Sequence, residues 1–366
     1  MARVSRKPDA ILLGSCIALV VFGILILASV SAPIAYKKFD SSFYFLKHQV
    51  IFGLIPGLIG CIVAFKADLK QVRKWAPFLF FASLLAIVVV VFPKIIGLTK
   101  GTVRWLDLKI TTVQPAEFLK LTAILYWASW WHSKSNQKVR NKNIDLLIFV
   151  VVMGIIGLLF ALQPDVSTFG VIVILAGIIY FLGDSPFWHS ALLVILGICA
   201  FAFLMQSSEY RQNRLSVFLN PDTDPMGIGY QLKQALITVG SGGITGVGIG
   251  FSEQKFGFLP ELISDSIFAV FAEETGFIGS FILLSLFTVF FWRGLRTAYF
   301  SKDKFNQLTA AGITSWIIIQ TLMNIMAMTG VMPLTGIPLP FVSYGGSALI
   351  SELIGLGLLL NISTQT

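Results

Sequence analysis

The sequence predicts an all-α, polytopic membrane protein of about ten transmembrane helices, with a large outward-facing loop between helices 7 and 8. Three observations carry that prediction. Hydrophobic residues make up 56% of the 366 residues and charged ones 12%, and the mean hydropathy is +0.83, a balance outside that of soluble domains. Apolar runs recur at the length of roughly 20 residues that crosses a hydrocarbon layer of about 30 Å. One segment, 207–264, departs from this rhythm by being polar, basic and full of glycine.

The spans fall near 10–32, 48–66, 75–92, 115–131, 145–162, 167–183, 189–206, 265–292, 308–330 and 346–361. The first follows Arg3, Arg6 and Lys7, but it is too long for a signal peptide and lacks a small-residue cleavage site, so it reads as a retained anchor. Basic residues crowd the amino terminus and three loops: Lys66, Lys70, Arg73 and Lys74; Lys134, Lys138, Arg140 and Lys142; Arg293, Arg296, Lys302 and Lys304. Those faces are expected in the cytoplasm. Ten spans then put both termini inside, and loops 33–47, 93–114, 163–166, 207–264 and 331–345 outside. Residues 1–366 read as a single integral membrane domain without an internal repeat.

The outer loops still carry Lys37, Lys94, Lys100, Arg104, Arg211, Arg214, Lys233 and Lys255, and the net charge is +9. Acidic lipid headgroups account for this excess, and so does an anionic partner outside the cytoplasm. Cys16, Cys61 and Cys199 lie inside spans at unrelated spacings, and His48, His132 and His189 are scattered singly. A disulfide framework and a histidine metal centre are thereby disfavoured.

Ionisable residues in or beside spans are costly, at about 2.5–3.5 kcal/mol each on insertion scales, and persist where they are paired or line a wet cavity. The candidates are Glu117, Lys120, Asp165, Asp265, Glu273, Glu274 and Glu352. Glu117 and Lys120 follow Pro115 with a spacing of three, which places them on one helix face as an ion pair. Ordinary helix-start chemistry explains Glu117 equally well, but not Lys120. Asp165 sits in a tight outer hairpin and reads either as a helix cap or as part of a site where outer loops converge. Asp265 opens the eighth span, and a continuous helix would stand it above Ala269, Ala272, Gly276 and Gly279, a small-residue strip open to a neighbouring helix or ligand chain. In the long loop, Asn220-Pro221-Asp222 is turn-forming and Gly227–Leu236 reads as a short amphipathic helix displaying Gln231. The glycine run 240–250 lacks any nucleotide-binding frame; its N–H groups are suited to holding a phosphate, and a re-entrant loop is the plainer reading.

Taken together, Gln-Pro-Ala-Glu-Phe-Leu-Lys at 114–120, Pro-Asp at 164–165, Gly-Tyr-Gln at 229–231, Gly-Ser-Gly-Gly at 240–243, Leu-Pro-Glu at 259–261, Asp-Ser-Ile-Phe-Ala at 265–269 and Pro-Leu-Pro-Phe-Val-Ser-Tyr-Gly-Gly-Ser at 338–347 resemble the SEDS family of FtsW, RodA and SpoVE. Gly-Phe-Ser-Glu-Gln-Lys before Leu-Pro-Glu is closer to the FtsW branch than to RodA. The resemblance implies a peptidoglycan glycosyltransferase, serving division or cell shape, in the bacterial cytoplasmic (inner) membrane. It would polymerise lipid II into β-1,4-linked glycan and release undecaprenyl pyrophosphate, with a class B penicillin-binding protein (transpeptidase) and membrane lipids as partners and no nucleic acid. It implies Asp265 as the catalytic residue and Glu117, Lys120, Asp165 and Gln231 around its cavity. Arg214, Lys255 and Glu261 are further substrate-binding candidates, and a divalent cation, magnesium or manganese, is an alternative source of positive charge for departing pyrophosphate. No nucleotide is expected. The family's usual His-Thr before the aspartate is replaced here by Ile263-Ser264. A lipid II flippase is the rival reading, using the buried charges as a polar path.

Overall fold

The computed structural model describes residues 7–96, 104–135, 141–206, 209–257 and 259–366. Arg3, Arg6, Lys100, Lys138, Arg140 and the Ser207-Ser208 start of the long loop lie outside them. In chain order the helices are α1 (Ala10–Phe39), α2 (Tyr44–Gln49), α3 (Ile55–Lys66), α4 (Leu69–Ile95), α5 (Pro115–Ser135), α6 (Lys142–Leu162), α7 (Val166–Leu182), α8 (Phe187–Gln206), α9 (Glu209–Leu219), α10 (Ile228–Ser241), α11 (Ile267–Phe300), α12 (Lys304–Met328) and α13 (Gly346–Ser363). A π-helical turn at Val50–Leu54 fuses α2 and α3 into one span. Among the described residues eight spans are long and apolar enough to cross a membrane; α5, with its internal charges, and the 17-residue α7 bring the number to the ten expected. The protein is a multi-pass membrane protein.

Local chemistry sets the helix starts. Asp9, Asp68, Asn141 and Asp303 each turn a side-chain oxygen onto the first free N–H groups of α1, α4, α6 and α12, the usual remedy for unpaired donors at a helix start. These four caps share one end of the molecule. There Asp9 pairs with Arg293, Arg73 lies 3.7 Å from Asp303, Lys304 2.9 Å from Asp184 and Lys134 3.3 Å from Asp145. The Asp9 N–H donates to Ser363 near the carboxyl terminus at 3.2 Å, so both ends of the chain meet on the basic face.

Helices α5, α12 and α13 form the centre, and α8 is the opposite case, with only His189 buried. Where α13 crosses α3, a Cβ on Gly357 would come within 2.2 Å of the Cys61 carbonyl, so only glycine permits that approach.

The segment 207–264 contains α9 and α10. One expectation needs correction. The eighth span is neither continuous nor begun at Asp265: α11 starts at Ile267 and breaks at Gly276, whose φ of 65° and ψ of −162° leave the helical region. Glycine alone adopts that conformation without steric cost. The glycine run 242–248 fills the break: Val247 and Gly248 donate N–H groups to the Glu273 and Glu274 carbonyls at 3.0 and 3.1 Å, while Phe277 and Ile278 donate to Gly243 and Ile244 at 2.9 and 3.1 Å. Backbone groups freed inside a membrane must find partners in the protein, and the re-entrant run supplies them. Its Val247 and Gly248 N–H groups are therefore spent within the chain rather than turned toward a phosphate.

Candidate functional site

Asp265 lies in the turn 261–265 that precedes α11, at the end of the molecule opposite the capped basic face. Its main-chain carbonyl accepts from Asn324 Nδ2 at 2.8 Å, and the same nitrogen donates to the Ile337 carbonyl at 2.8 Å. Its carboxylate has no hydrogen bond among the described residues and is partly exposed. Burial and the neighbouring Glu261 carboxylate push the group up to about 6, Asp165 adds to this, and Arg214 and Arg104 oppose it. A carboxylate with free lone pairs and that affinity for protons is suited to general-base work near neutral pH.

The surrounding groups are fixed by their own bonds. Asp165 caps α7, accepting from the Thr168 N–H at 3.2 Å and its hydroxyl at 3.0 Å. Arg104, just ahead of the two-stranded hairpin β1 (Leu106–Asp107) and β2 (Thr112–Val113), donates from Nη2 to the Pro164 carbonyl at 2.7 Å. Its Nε is buried without a hydrogen-bond partner among the described residues. Arg214 of α9 donates to the Leu334 carbonyl at 3.1 Å. Glu261 is exposed and accepts from the Ser264 hydroxyl at 2.9 Å. Gly336 closes the ring: its φ is +69°, and a Cβ placed there would stand 3.3 Å from Asp265 Oδ2.

The segment 337–345 positions the Asp265 turn. Ser343 Oγ accepts the Leu339 N–H at 2.8 Å and donates to the Ser264 carbonyl at 2.5 Å, and the Tyr344 N–H reaches the Ile263 carbonyl at 2.9 Å. On its other side, Gln320 of α12 donates to the Pro338 carbonyl at 3.0 Å and Gln49 accepts the Gly345 N–H at 3.1 Å.

The sequence candidates thus divide into two sets. Asp165, Glu261 and Arg214, with Arg104, act electrostatically on the Asp265 carboxyl. Glu117 and Lys120 form their expected ion pair at 2.9 Å, but Lys120 is 1% exposed and donates to Gln320 at 2.7 Å. The pair is a buried tie between α5 and α12. Lys255 is a correction: it is buried, bonded to the Gly250 carbonyl and to Glu274 at 3.1 Å. Glu274 lies nine residues past Asp265, about 14 Å deeper at 1.5 Å per residue. Gln231 lies in the first turn of α10, and no described contact joins it to the Asp265 group. The small-residue strip is likewise corrected, since Gly242 packs against the Ala272 carbonyl and the chain's own glycine run occupies it.

Sequence reasoning counted Arg104 among the basic residues of the outer loops without tying it to Asp265, and it missed Asn324 and Gly336. The signal for Gly336 was position, since it closely precedes the 338–347 motif. No group of three or more His, Cys, Asp or Glu converges among the described residues. Arg214 and Arg104 already bring positive charge to bear on Asp265.

Residues 10–366 match the family FTSW_RODA_SPOVE, described as cell cycle protein. Stage V sporulation protein E of Bacillus subtilis (strain 168) is 38% identical, with 99% of each chain covered. The probable peptidoglycan glycosyltransferase FtsW of Trichlorobacter lovleyi is 37% identical, over 99% of this chain and 96% of that one. Among solved structures, a chain of a peptidoglycan synthase complex, studied for the coordination of polymerization and crosslinking, superposes with a TM-score of 0.77 at 26% identity over 98% of both chains. The Thermus thermophilus rod shape determining protein RodA shares the fold, with a TM-score of 0.70 at 24% identity over 97% of this chain and 96% of that one.

Proposed function

Because this chain belongs to the FtsW, RodA and SpoVE family, we propose that it is a peptidoglycan glycosyltransferase, polymerising lipid II at the outer face of the bacterial cytoplasmic membrane. The observation that carries the reading is the Asp265 carboxylate, free of hydrogen bonds among the described residues, held by its backbone and under the electrostatic influence of Arg214 and Arg104.

In this reaction Asp265 takes the proton of the acceptor sugar's 4-hydroxyl as that oxygen attacks the anomeric carbon of the donor. The bond from that carbon to the lipid pyrophosphate breaks, and its electron pair leaves on the phosphate oxygen. Attack opposite an α-linked leaving group gives a β-1,4 bond with inversion. Arg104 and Arg214 supply the positive charge that the departing pyrophosphate requires, in a low-dielectric setting where such charge acts strongly. The polyprenyl chains remain in the bilayer, which accounts for a sugar transferase made of membrane helices. The positive-inside rule places the capped basic face, with both termini, in the cytoplasm and Asp265 outside. A class B penicillin-binding protein is the proposed partner, in keeping with the synthase complex that shares this fold.

The flippase reading needs a continuous polar path, but Glu117, Lys120, Asp165, Glu273 and Glu274 are all buried and engaged in internal bonds. Purified protein in liposomes with lipid II tests the choice. Wild type makes glycan polymer and Asp265→Ala makes none; transport of labelled lipid II by both variants, with polymer from neither, defeats the proposal.

A further inference from the structure

Glu352 was conspicuous in the sequence as a carboxylate inside the last span, and the reaction above leaves it without a task. It is 2% exposed on α13. One oxygen, Oε2, accepts the Phe341 N–H at 2.8 Å, and the other is buried without a hydrogen-bond partner among the described residues. Its charged neighbours are Glu117 and Lys120, which already pair with each other. Salt bridging of Lys120 therefore does not explain Glu352, whereas the Phe341 N–H does.

Phe341 is the residue in this region whose conformation needs enforcing. Its φ is +62°, a region that a bulky side chain occupies only under constraint, and its ring is buried. That left-handed residue turns the chain between Pro338, held by Gln320, and Ser343, which bonds Ser264. Without an acceptor at its N–H, the turn would leave a buried donor unpaired and lose the constraint that points Ser343 at the Asp265 turn.

We propose that Glu352 is a positioning residue for the glycosyl transfer: by accepting the Phe341 N–H from within the membrane, it fixes the left-handed turn through which Ser343 and Tyr344 hold residues 263–265, and hence the Asp265 carboxylate. The requirement is for an acceptor oxygen rather than for charge. This inference rests on the enzymatic reading of Asp265.

The full-length protein in liposomes with lipid II provides the test, with kcat and KM measured separately. Glu352→Leu should lower kcat by about 10²-fold, the scale of a misplaced reacting group, with KM little changed. Glu352→Gln keeps an acceptor oxygen and should stay within about threefold of wild type. Ser343→Ala, which removes a single hydroxyl, should lower kcat in the same manner. Since both act through one turn, the Glu352→Leu/Ser343→Ala double variant should lose less than the product of the single losses. Wild-type kcat in Glu352→Leu, equal losses in the Leu and Gln variants, or fully multiplicative losses overturn the proposal. If Glu352→Leu does not fold, wild-type kcat in Ser343→Ala overturns it alone. Should wild type itself make no polymer, the enzymatic reading has failed, and amide exchange of 339–344 still decides on positioning. Faster exchange in Glu352→Leu than in Glu352→Gln supports it, and equal exchange refutes it.

Discussion

Two carboxylate regions lie within ten residues of each other along the chain, and the protein treats them in opposite ways. Asp265 keeps its carboxylate free of hydrogen bonds among the described residues, in the turn just before α11. Glu273 and Glu274, deep in the bundle, are fully engaged. Ser241 donates to Glu273 at 3.2 Å and Ser252 also bonds it, while Glu274 accepts from Ser29 at 2.8 Å and pairs with Lys255 at 3.1 Å. Their common work is to pin α1, the glycine run and the broken α11 together. The difference shows that a costly charge near a membrane marks chemistry only where its lone pairs are left open; where they are filled, the same residue type is a fastener.

The largest expected effect separates the two regions directly. Asp265→Asn should lower polymerisation by about 10²–10⁴-fold with the thermal midpoint unchanged. Lys255→Met should do the reverse, leaving Glu274 uncompensated and lowering stability by about 3–5 kcal/mol, read as an earlier thermal transition. If Lys255→Met instead abolished catalysis at full stability, the division into base and fastener would be wrong.

Arg214→Met should cost about 10²-fold in kcat, the scale of one lost electrostatic donor. The pH profile sharpens this. Arg214 holds the Asp265 carboxyl down, against burial and Glu261, so its removal makes the carboxyl harder to ionise. The acid limb of kcat/KM, expected about pH 6 in wild type because that is where Asp265 titrates, should move to higher pH. Gly336→Ala should be milder. A left-handed backbone costs a residue with a Cβ roughly 1–2 kcal/mol, and the added methyl meets Asp265 Oδ2 at 3.3 Å, so a loss of ~10-fold with little change in fold is expected. The smallest effect belongs to Glu261→Gln. Removing a like charge eases ionisation of Asp265, and the acid limb should shift to lower pH with the plateau rate retained.

Much of the architecture was legible in the residues, because hydrocarbon thickness imposes a length on every span and charge imposes a side on every loop. Even so, α1 runs to Phe39 rather than 32, and α9 went unrecognised, since its polar surface carries little apolar periodicity. The Asp265 group was half legible. Asp165, Glu261 and Arg214 announce themselves as charges near outer boundaries, but Lys255 does so equally and is buried with Glu274. Sequence distance gave no warning, because its partner is nineteen residues away in a different element, on α11.

The sequence by itself determined the membrane class, the ten crossings and the orientation bias, and offered Asp265 as one of seven ionisable candidates. Those follow from composition, period and the cost of burying charge, all of which are local. Only the tertiary structure decided which charges are spent. The break at Gly276, the glycine run that heals it and the turn at Phe341 that holds Asp265 each depend on hydrogen bonds between segments distant in the chain. Whether a polar atom is satisfied is a property of its neighbours in space, and residue type alone does not specify them.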